Sequence, residues 1–340
     1  MGSLSATVED IRFAYRLLLG REPDEAGFDA FQKYLEKTPL TSRELAEYFM
    51  RSAEYLSAGA QRVPSQSMTS EAAVRSGCLG CSACTQADLD SESFRSWALR
   101  LGERPGHLHR KVWEWCFIVQ ALHERGMLTP GSRGLGFAVG REPLAALFAS
   151  LGCEILGTDL GRALAETEGW VAGNQHAEDL QQLNQRGLCN AQEFSERVRF
   201  AVVDMREIPD DLGTFDFLWS SCAMEHLGGL REGRDFVVNA MKLLRPGGIA
   251  VHTTEFNCDS NEHTITSGNN VLFRKRDLLE LSDDLARAGH LCMPFDFRTG
   301  DSAADQHVDE IPYKGPLHLK LRIGPYASTS FGLIIKAGER

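Results

Sequence analysis

The stretch from Arg133 to Asp159, RGLGFAVGREPLAALFASLGCEILGTD, restricts the possible folds more than any other part of the chain. It reads as strand, glycine turn, helix and strand, and it ends on an acid. Gly134, Gly136 and Gly140 fall where the strand gives way to the helix. Residues without a Cβ let the backbone turn tightly there and approach a ligand closely. Glu142, Pro143 and Leu144 open the helix, with Pro143 in a first turn where its missing N–H costs nothing. Leu144, Leu147, Phe148 and Leu151 recur at helical spacing, so one helix face packs on a sheet. Gly152 breaks the pattern and Glu154 to Gly157 reads as the next strand. Asp159 and Leu160 lie just past its end, in the crevice where open α/β sheets bind ligands. A carboxylate there suits the two hydroxyls of a ribose, so the stretch predicts a nucleoside cofactor on a Rossmann-like α/β sheet.

The spacing separates one cofactor class from another. The dinucleotide fingerprint places its third glycine three residues after the second, whereas Gly140 follows Gly136 by four. Three further segments fall in order downstream. Val198 to Val203 is an apolar strand ending at Asp204-Met205, and Phe215 to Ser220 is another, leading into SSCAMEHLGG. Leu243 to Gly248, LLRPGG, then precedes the strand IAVHTTEF. Together these four segments resemble the class I S-adenosylmethionine-dependent methyltransferases. The resemblance implies a seven-stranded sheet, finished by an antiparallel hairpin from Leu317–Ile323 and Ser330–Ile335. It implies S-adenosylmethionine as cofactor, with Gly136, Ala138 and Gly140 as the glycine loop, Asp159 on the ribose and Asp204 on the adenine amino group. Leu160, Met205 and Ser220 complete the expected cofactor wall. The family's loop usually begins with an acid that helps to hold the methionine end of the cofactor, and here Gly134 stands in that place.

The composition fits a soluble globular chain: 43% hydrophobic and 24% charged in 340 residues, long enough for two domains. A net charge of −11 argues against a surface that tracks nucleic-acid phosphates or docks on anionic lipid. No apolar run is long enough for a membrane span, and MGSLSATVED lacks the basic start and apolar core of a signal peptide. Nine cysteines, an odd number without an export signal, predict reduced thiols in the cytoplasm.

Residues 1–56 are expected as a separate helical domain. Thr7 caps a helix with Val8, Ile11, Tyr15 and Leu18 on one stripe, and Gly20 ends it. Pro23-Asp24 starts a second helix with Phe28, Phe31 and Leu35 inward. Thr41 to Glu44 forms a capping box before Leu45, Tyr48 and Phe49. YRLLLGREPDEAGFDAFQKYL resembles a small all-helical domain of unknown function found beside cell-surface and glycan-modifying proteins. That resemblance implies an accessory role, with docking to another protein or homodimer formation through these helices. Residues 57–91 read as a linker holding Cys78, Cys81 and Cys84. This C-x₂-C-x₂-C run lacks the fourth ligand of an iron–sulfur or zinc site, so no metal is assigned. Residues 92–340 form the methyltransferase domain, opening with lid helices over 92–127.

Catalysis by in-line methyl transfer rests mostly on positioning, and a hydroxyl acceptor also needs a base to take its proton. His226 is the candidate base because an imidazole titrates near neutral pH, and Glu225 is expected to orient it or bind the acceptor. In HLHRKVWEW, Arg110 and Lys111 beside Trp113 and Trp115 read as a substrate wall, with Arg110 and Trp113 as its candidate contacts. On the fifth strand, His252 and Thr254 face one side and Thr253 and Glu255 the other, with Glu255 and His252 as substrate contacts. His176 is expected on the surface. The polar segment from Asn257 to Asn270 lies beside the expected acceptor site. The aligned core looks like methyltransferases encoded among polysaccharide and lipopolysaccharide genes, which points to a sugar hydroxyl of a cell-envelope glycan or its precursor. Two alternatives stay open: N- or O-methylation of a small metabolite, and a non-catalytic scaffold, motivated by Gly134 and Ala138.

Overall fold

The computed structural model describes residues 78–340 except 105, 168–169, 171–175, 178, 314 and 340, with scattered positions between 6 and 49. These residues divide into two compact units, Met1–Ser67 and Met68–Arg340. In the first, Thr7 and Asp10 cap the helix Val8–Ala14 reciprocally, each side chain accepting the other's backbone N–H. Ile11, Tyr15, Leu45 and Phe49 are buried together. Phe31 stacks on Phe49 at 4.5 Å while Tyr15 meets Phe49 edge-on at 5.0 Å. The expectations for Leu18, Gly20, Tyr48, the capping box beyond Thr41 and the segment 57–77 lie outside the described residues.

The second unit is built on a mixed sheet. Its seven main strands are β1 (Arg133–Phe137), β2 (Glu154–Asp159), β3 (Val198–Val202), β4 (Phe215–Ser221), β5 (Leu244–Asn257), β6 (Lys320–Ile323) and β7 (Tyr326–Lys336). They lie in the order β3-β2-β1-β4-β5-β7-β6, all parallel through β5, with β7 antiparallel to both of its neighbours. The order reverses at β1, so a crevice opens at the carboxyl ends of β1 and its neighbours. This is the Rossmann-like seven-stranded sheet, closed by its antiparallel hairpin, that the sequence resemblance implies.

Aromatic packing explains two of the glycines. Phe148, on the helix Leu144–Ser150, meets Phe217 and Trp219 of β4 edge-on at 5.5 and 5.0 Å. A Cβ on Gly134 would lie 2.3 Å from the Phe217 ring, and one on Gly136 would lie 2.4 Å from Trp219. Both glycines therefore make room for β4 within the sheet. The expectation that they shape a ligand-binding turn is corrected on that ground.

Two further expectations change. The helical stretch 92–127 is two helices, Glu92–Arg100 and Arg110–Glu124. Gly102, at φ 79°, ends the first, and the Glu103 N–H bonds back to the Ala98 carbonyl. Leu108 lies in the connection between the two helices. Within the expected linker, Cys81–Ala83 is a strand of the same sheet, paired with β7 through Ser82 and Gly332 and with Phe295–Asp296. Cys81 and Cys84 are small and apolar enough to be buried there, and the Cys81 sulfur accepts the Ile334 N–H. Cys78 is exposed. Among the described residues no helix is long and apolar enough to cross a membrane.

Candidate active site

A cavity of about 280 Å³ opens at the carboxyl ends of β1, β2, β3 and β4, close to the lower bound of about 300 Å³ for small-molecule sites. Two residues on its wall have left-handed backbones without being glycine: Ala138, at φ 47° directly after β1, and Cys222, at φ 47° directly after β4. Such conformations cost a residue with a Cβ of order 1–3 kcal/mol and cluster at functional sites. Gly140, at φ 49°, completes the turn after β1. That turn is fastened to β2 by Asp159, whose Oδ2 accepts the N–H groups of Gly140 at 3.1 Å and Ala177 at 3.0 Å. Its Oδ1 accepts the Leu160 N–H at 2.8 Å. A carboxylate offers about four acceptor positions, so one remains on Oδ1 for a ligand hydroxyl. Burial raises the Asp159 pKa, and the three backbone N–H groups oppose it.

Beyond β3, Asp204 and Met205 border the same cavity. Arg206 grips the Asp204 carboxylate in a fork, with its Nη2 2.7 Å from Oδ2 and its Nε 3.0 Å from Oδ1. That pairing, more than burial, keeps the carboxyl below its ordinary pKa.

Of the cofactor residues expected from sequence, the structure brings Ala138, Gly140, Asp159, Leu160, Asp204 and Met205 to the cavity. Gly134, Gly136 and Ser220 are elsewhere. Ser220 is fully buried in the sheet and shares a 2.8 Å hydrogen bond with His252 Nδ1, so the wall after β4 is made instead by Ser221 and Cys222.

His226 also lines the cavity. Its Nδ1 donates to the Asn269 carbonyl at 2.5 Å, which leaves Nε2 of the neutral ring as a lone pair. Trp170 meets the imidazole edge-on at 4.5 Å. The Asn257–Asn270 segment that supplies this carbonyl is fastened by Asn257, which donates to the His263 carbonyl and accepts the Asp259 and Ser260 N–H groups. Glu225 is not the group that orients His226. It is fully buried, takes the Thr254 hydroxyl at 3.1 Å, and its Oε1 has no partner. Burial raises its pKa.

Four of the expected substrate contacts, Arg110, Trp113, His252 and Glu255, lie away from the cavity. Arg110 and Glu255 form a buried ion pair, and Ser328 donates to the other Glu255 oxygen at 2.6 Å. Trp113 is fully buried and donates its indole N–H to Asp88 at 2.9 Å. His252 packs against Phe236, and burial drives its pKa down to about 3. Each has its polar needs met within the protein or is enclosed by apolar neighbours. Cys222, Glu225 and Glu255 bring a thiol and two carboxylates within 4.8 Å of one another, but Glu255 already has Arg110 and Ser328.

Two residues of the expected substrate wall do reach the cavity. Lys111 and Trp115, four apart on the helix Arg110–Glu124, share its cavity face. Lys111 lies 2.8 Å from the buried Glu114 and 3.6 Å from Glu142. Burial disfavours ionised Glu114, but Lys111 and Arg110 outweigh it and hold the carboxyl at about 2. For Glu142 the balance falls the other way, and burial pushes it up to about 7 against the pull of Lys111. His176, expected on the surface, is buried at the cavity wall and donates from Nε2 to the Leu160 carbonyl at 2.7 Å. A helical reading of HRKVWEW that paired residues four apart would have separated Lys111 and Trp115 from Arg110 and Trp113. Nothing in the local pattern marks His176.

The strand order, the reversed last strand and the cavity at the head of β1 define a class I methyltransferase domain. Residues 135–252, less than half of the chain, match a family model described as methyltransferase domain. The protein is an S-adenosylmethionine-dependent methyltransferase, and S-adenosylmethionine is its cofactor. Among solved structures, it is similar to magnesium protoporphyrin IX methyltransferase from Synechocystis PCC 6803 with bound S-adenosylhomocysteine. That similarity is at 13% identity and TM-score 0.39, over 73% of this chain and 97% of that one. It is also similar to 1,6-didemethyltoxoflavin-N1-methyltransferase from Burkholderia thailandensis, at 15% identity and TM-score 0.42, over 75% of this chain and 87% of that one. Both scores lie below 0.5, and no conclusion rests on them. No curated protein matches the sequence.

Proposed function

We propose that the enzyme methylates a hydroxyl group, with His226 as the base that takes its proton. The observation that carries this reading is the His226 tautomer: Nδ1 is tied to the Asn269 carbonyl, and the Nε2 lone pair belongs to a residue on the cavity wall. A hydroxyl is a poor nucleophile until its proton is leaving, and a placed base adds roughly 10²–10⁴-fold. When bound, S-adenosylmethionine supplies an electrophilic methyl group on a sulfonium. Asp159 accepts from the ribose with its remaining lone pair, Ala138, Gly140 and Leu160 form the wall beside it, and Asp204 and Met205 border the adenine. Trp170 and Leu227 flank His226 where an acceptor would enter. The acceptor class to which the sequence resemblance points is a sugar of a cell-envelope glycan or its precursor.

The test is release of S-adenosylhomocysteine in the presence of sugar and glycan-precursor acceptors, for wild type and His226→Asn. The variant should lose about 10²–10⁴-fold in kcat and retain its affinity for S-adenosylhomocysteine. An unchanged kcat would remove His226 as base. Turnover of amine acceptors in place of sugars would transfer the reading to N-methylation of a small metabolite.

A further inference from the structure

Among the described residues three carboxylates border the cavity, and one of them, Glu142, has an oxygen without a well-placed donor. Asp159 accepts three backbone N–H groups, and Asp204 is held in the fork of Arg206. Glu142 has its Oε1 3.6 Å from the Lys111 ammonium, while its Oε2 is buried without a hydrogen bond of good geometry, although the Ser221 hydroxyl and the Trp115 indole N–H lie near the carboxylate. Lys111 is nearer to Glu114, at 2.8 Å, and also reaches the Ser221 hydroxyl at 3.3 Å. Arg110, the next cation along the helix, is taken by Glu255. One ammonium thus lies against two carboxylates at this end of the cavity. A buried carboxylate left without a full counter-charge is costly, and a cation delivered by a ligand removes that cost.

The cofactor brings such a group. Its amino-acid end carries an ammonium and a carboxylate on one carbon, apart from the ribose and adenine that suit Asp159 and Asp204. The β1 strand offers no rival carboxylate at Gly134, whose Cβ position is filled by the Phe217 ring. We propose that Glu142 receives the α-ammonium of S-adenosylmethionine through Oε2, with the Lys111–Glu114 pair holding it in place from the other side. The assignment rests on the cofactor occupying this cavity. It makes Glu142 the residue that separates the intact cofactor from its fragments, since only a ligand with the amino-acid end carries the ammonium.

The test is calorimetric titration of wild type and Glu142→Gln with two probes: S-adenosylhomocysteine and 5′-methylthioadenosine, which lacks the amino-acid end. Glutamine keeps the shape and one acceptor oxygen but removes the charge, so S-adenosylhomocysteine should bind about tenfold or more weakly. Binding of 5′-methylthioadenosine should be the same in both proteins. Glu142→Asp, which keeps the charge on a shorter stem, should lose less than glutamine, and thermal melting of each variant checks that it is folded. Equal affinity of wild type and Glu142→Gln for S-adenosylhomocysteine would overturn the assignment, as would an equal loss for both probes. Wild type that bound neither probe would overturn the cofactor's place in the cavity and the Glu142 role with it. Wild type that bound 5′-methylthioadenosine as tightly as S-adenosylhomocysteine would overturn the Glu142 role alone.

Discussion

Carboxylates lie on both sides of the wall formed by β4 and the helix Arg110–Glu124, and the two sides treat them differently. Behind the wall, Glu255 has Arg110 and Ser328, and Glu114 has Lys111, Ser221 and Ser330. These acids are wholly enclosed and supplied by the protein itself. On the cavity side, Asp159 keeps one acceptor position open and Glu142 keeps an oxygen without a well-placed donor. The difference teaches which charges to assign to structure and which to ligand. A buried acid with a complete set of partners is committed to the fold, whereas an incomplete set beside a cavity leaves a position that a ligand can fill.

Breaking the inner side should have the largest effect on stability. Glu255→Ala leaves the Arg110 guanidinium buried without its counter-charge, and removal of one partner of such a pair costs about 3–5 kcal/mol. Chemical denaturation should show that loss. A loss below about 1 kcal/mol would place Arg110 and Glu255 with the solvent-screened pairs, and so return them to the acceptor site where the sequence had suggested them.

Asp159→Ala strikes the cavity side. It removes an open acceptor together with three N–H partners, so the turn at Gly140 and the segment at Ala177 both lose their tie to β2. Loss of a charged hydrogen bond to ribose alone amounts to about 1.5–3 kcal/mol, more than tenfold in affinity for S-adenosylhomocysteine by calorimetry. Asp159→Asn retains one carbonyl oxygen and should fall between wild type and alanine. If asparagine binds as well as wild type, the charge is irrelevant there and the residue serves the loop only.

The smallest effect sharpens the contrast through pH. Burial raises Glu142 to about 7 although Lys111, Ser221 and Trp115 oppose it, and Glu114 adds to the rise. A carboxyl with a raised folded-state pKa contributes its stability below the unfolded value near 4.5 and loses it as the pH climbs through about 7. The melting temperature of ligand-free wild type should therefore fall relative to Glu142→Gln between about pH 5 and about pH 7.5. Saturating S-adenosylhomocysteine should reduce that difference. Parallel curves for the two proteins would mean that Glu142 is as well paired as Glu114.

Much of this organisation was legible in the chain. The strand–turn–helix–strand at Arg133–Asp159 and the three later segments located the parallel half of the sheet, the acid at the head of β2 and His226. Their signals are local: apolar runs, a turn residue, an acid at a strand end. The errors arise where a side chain's meaning depends on a distant partner. Arg110 and Glu255 are far apart in sequence and neutralise each other. Gly134 looks like a turn residue until Phe217 of β4 is placed against it. His176 seemed exposed because its segment is polar, yet the Leu160 carbonyl draws it inward. Cys81 read as part of a linker because its neighbours are small, and smallness is also what a short strand beside Gly332 and Phe117 accommodates.

The fit between Gly134 and Phe217 sets a boundary on redesign. An acid cannot be written into position 134 by one codon change, because its first carbon would already overlap the ring, which is itself buried against Phe148. The two positions are epistatic: shrinking Phe217 first would open a void behind the helix Leu144–Ser150, and enlarging Gly134 first would force the strands apart. A variant library that samples either site alone would find both dead, and only paired substitutions could move the acid from the helix entrance back onto β1.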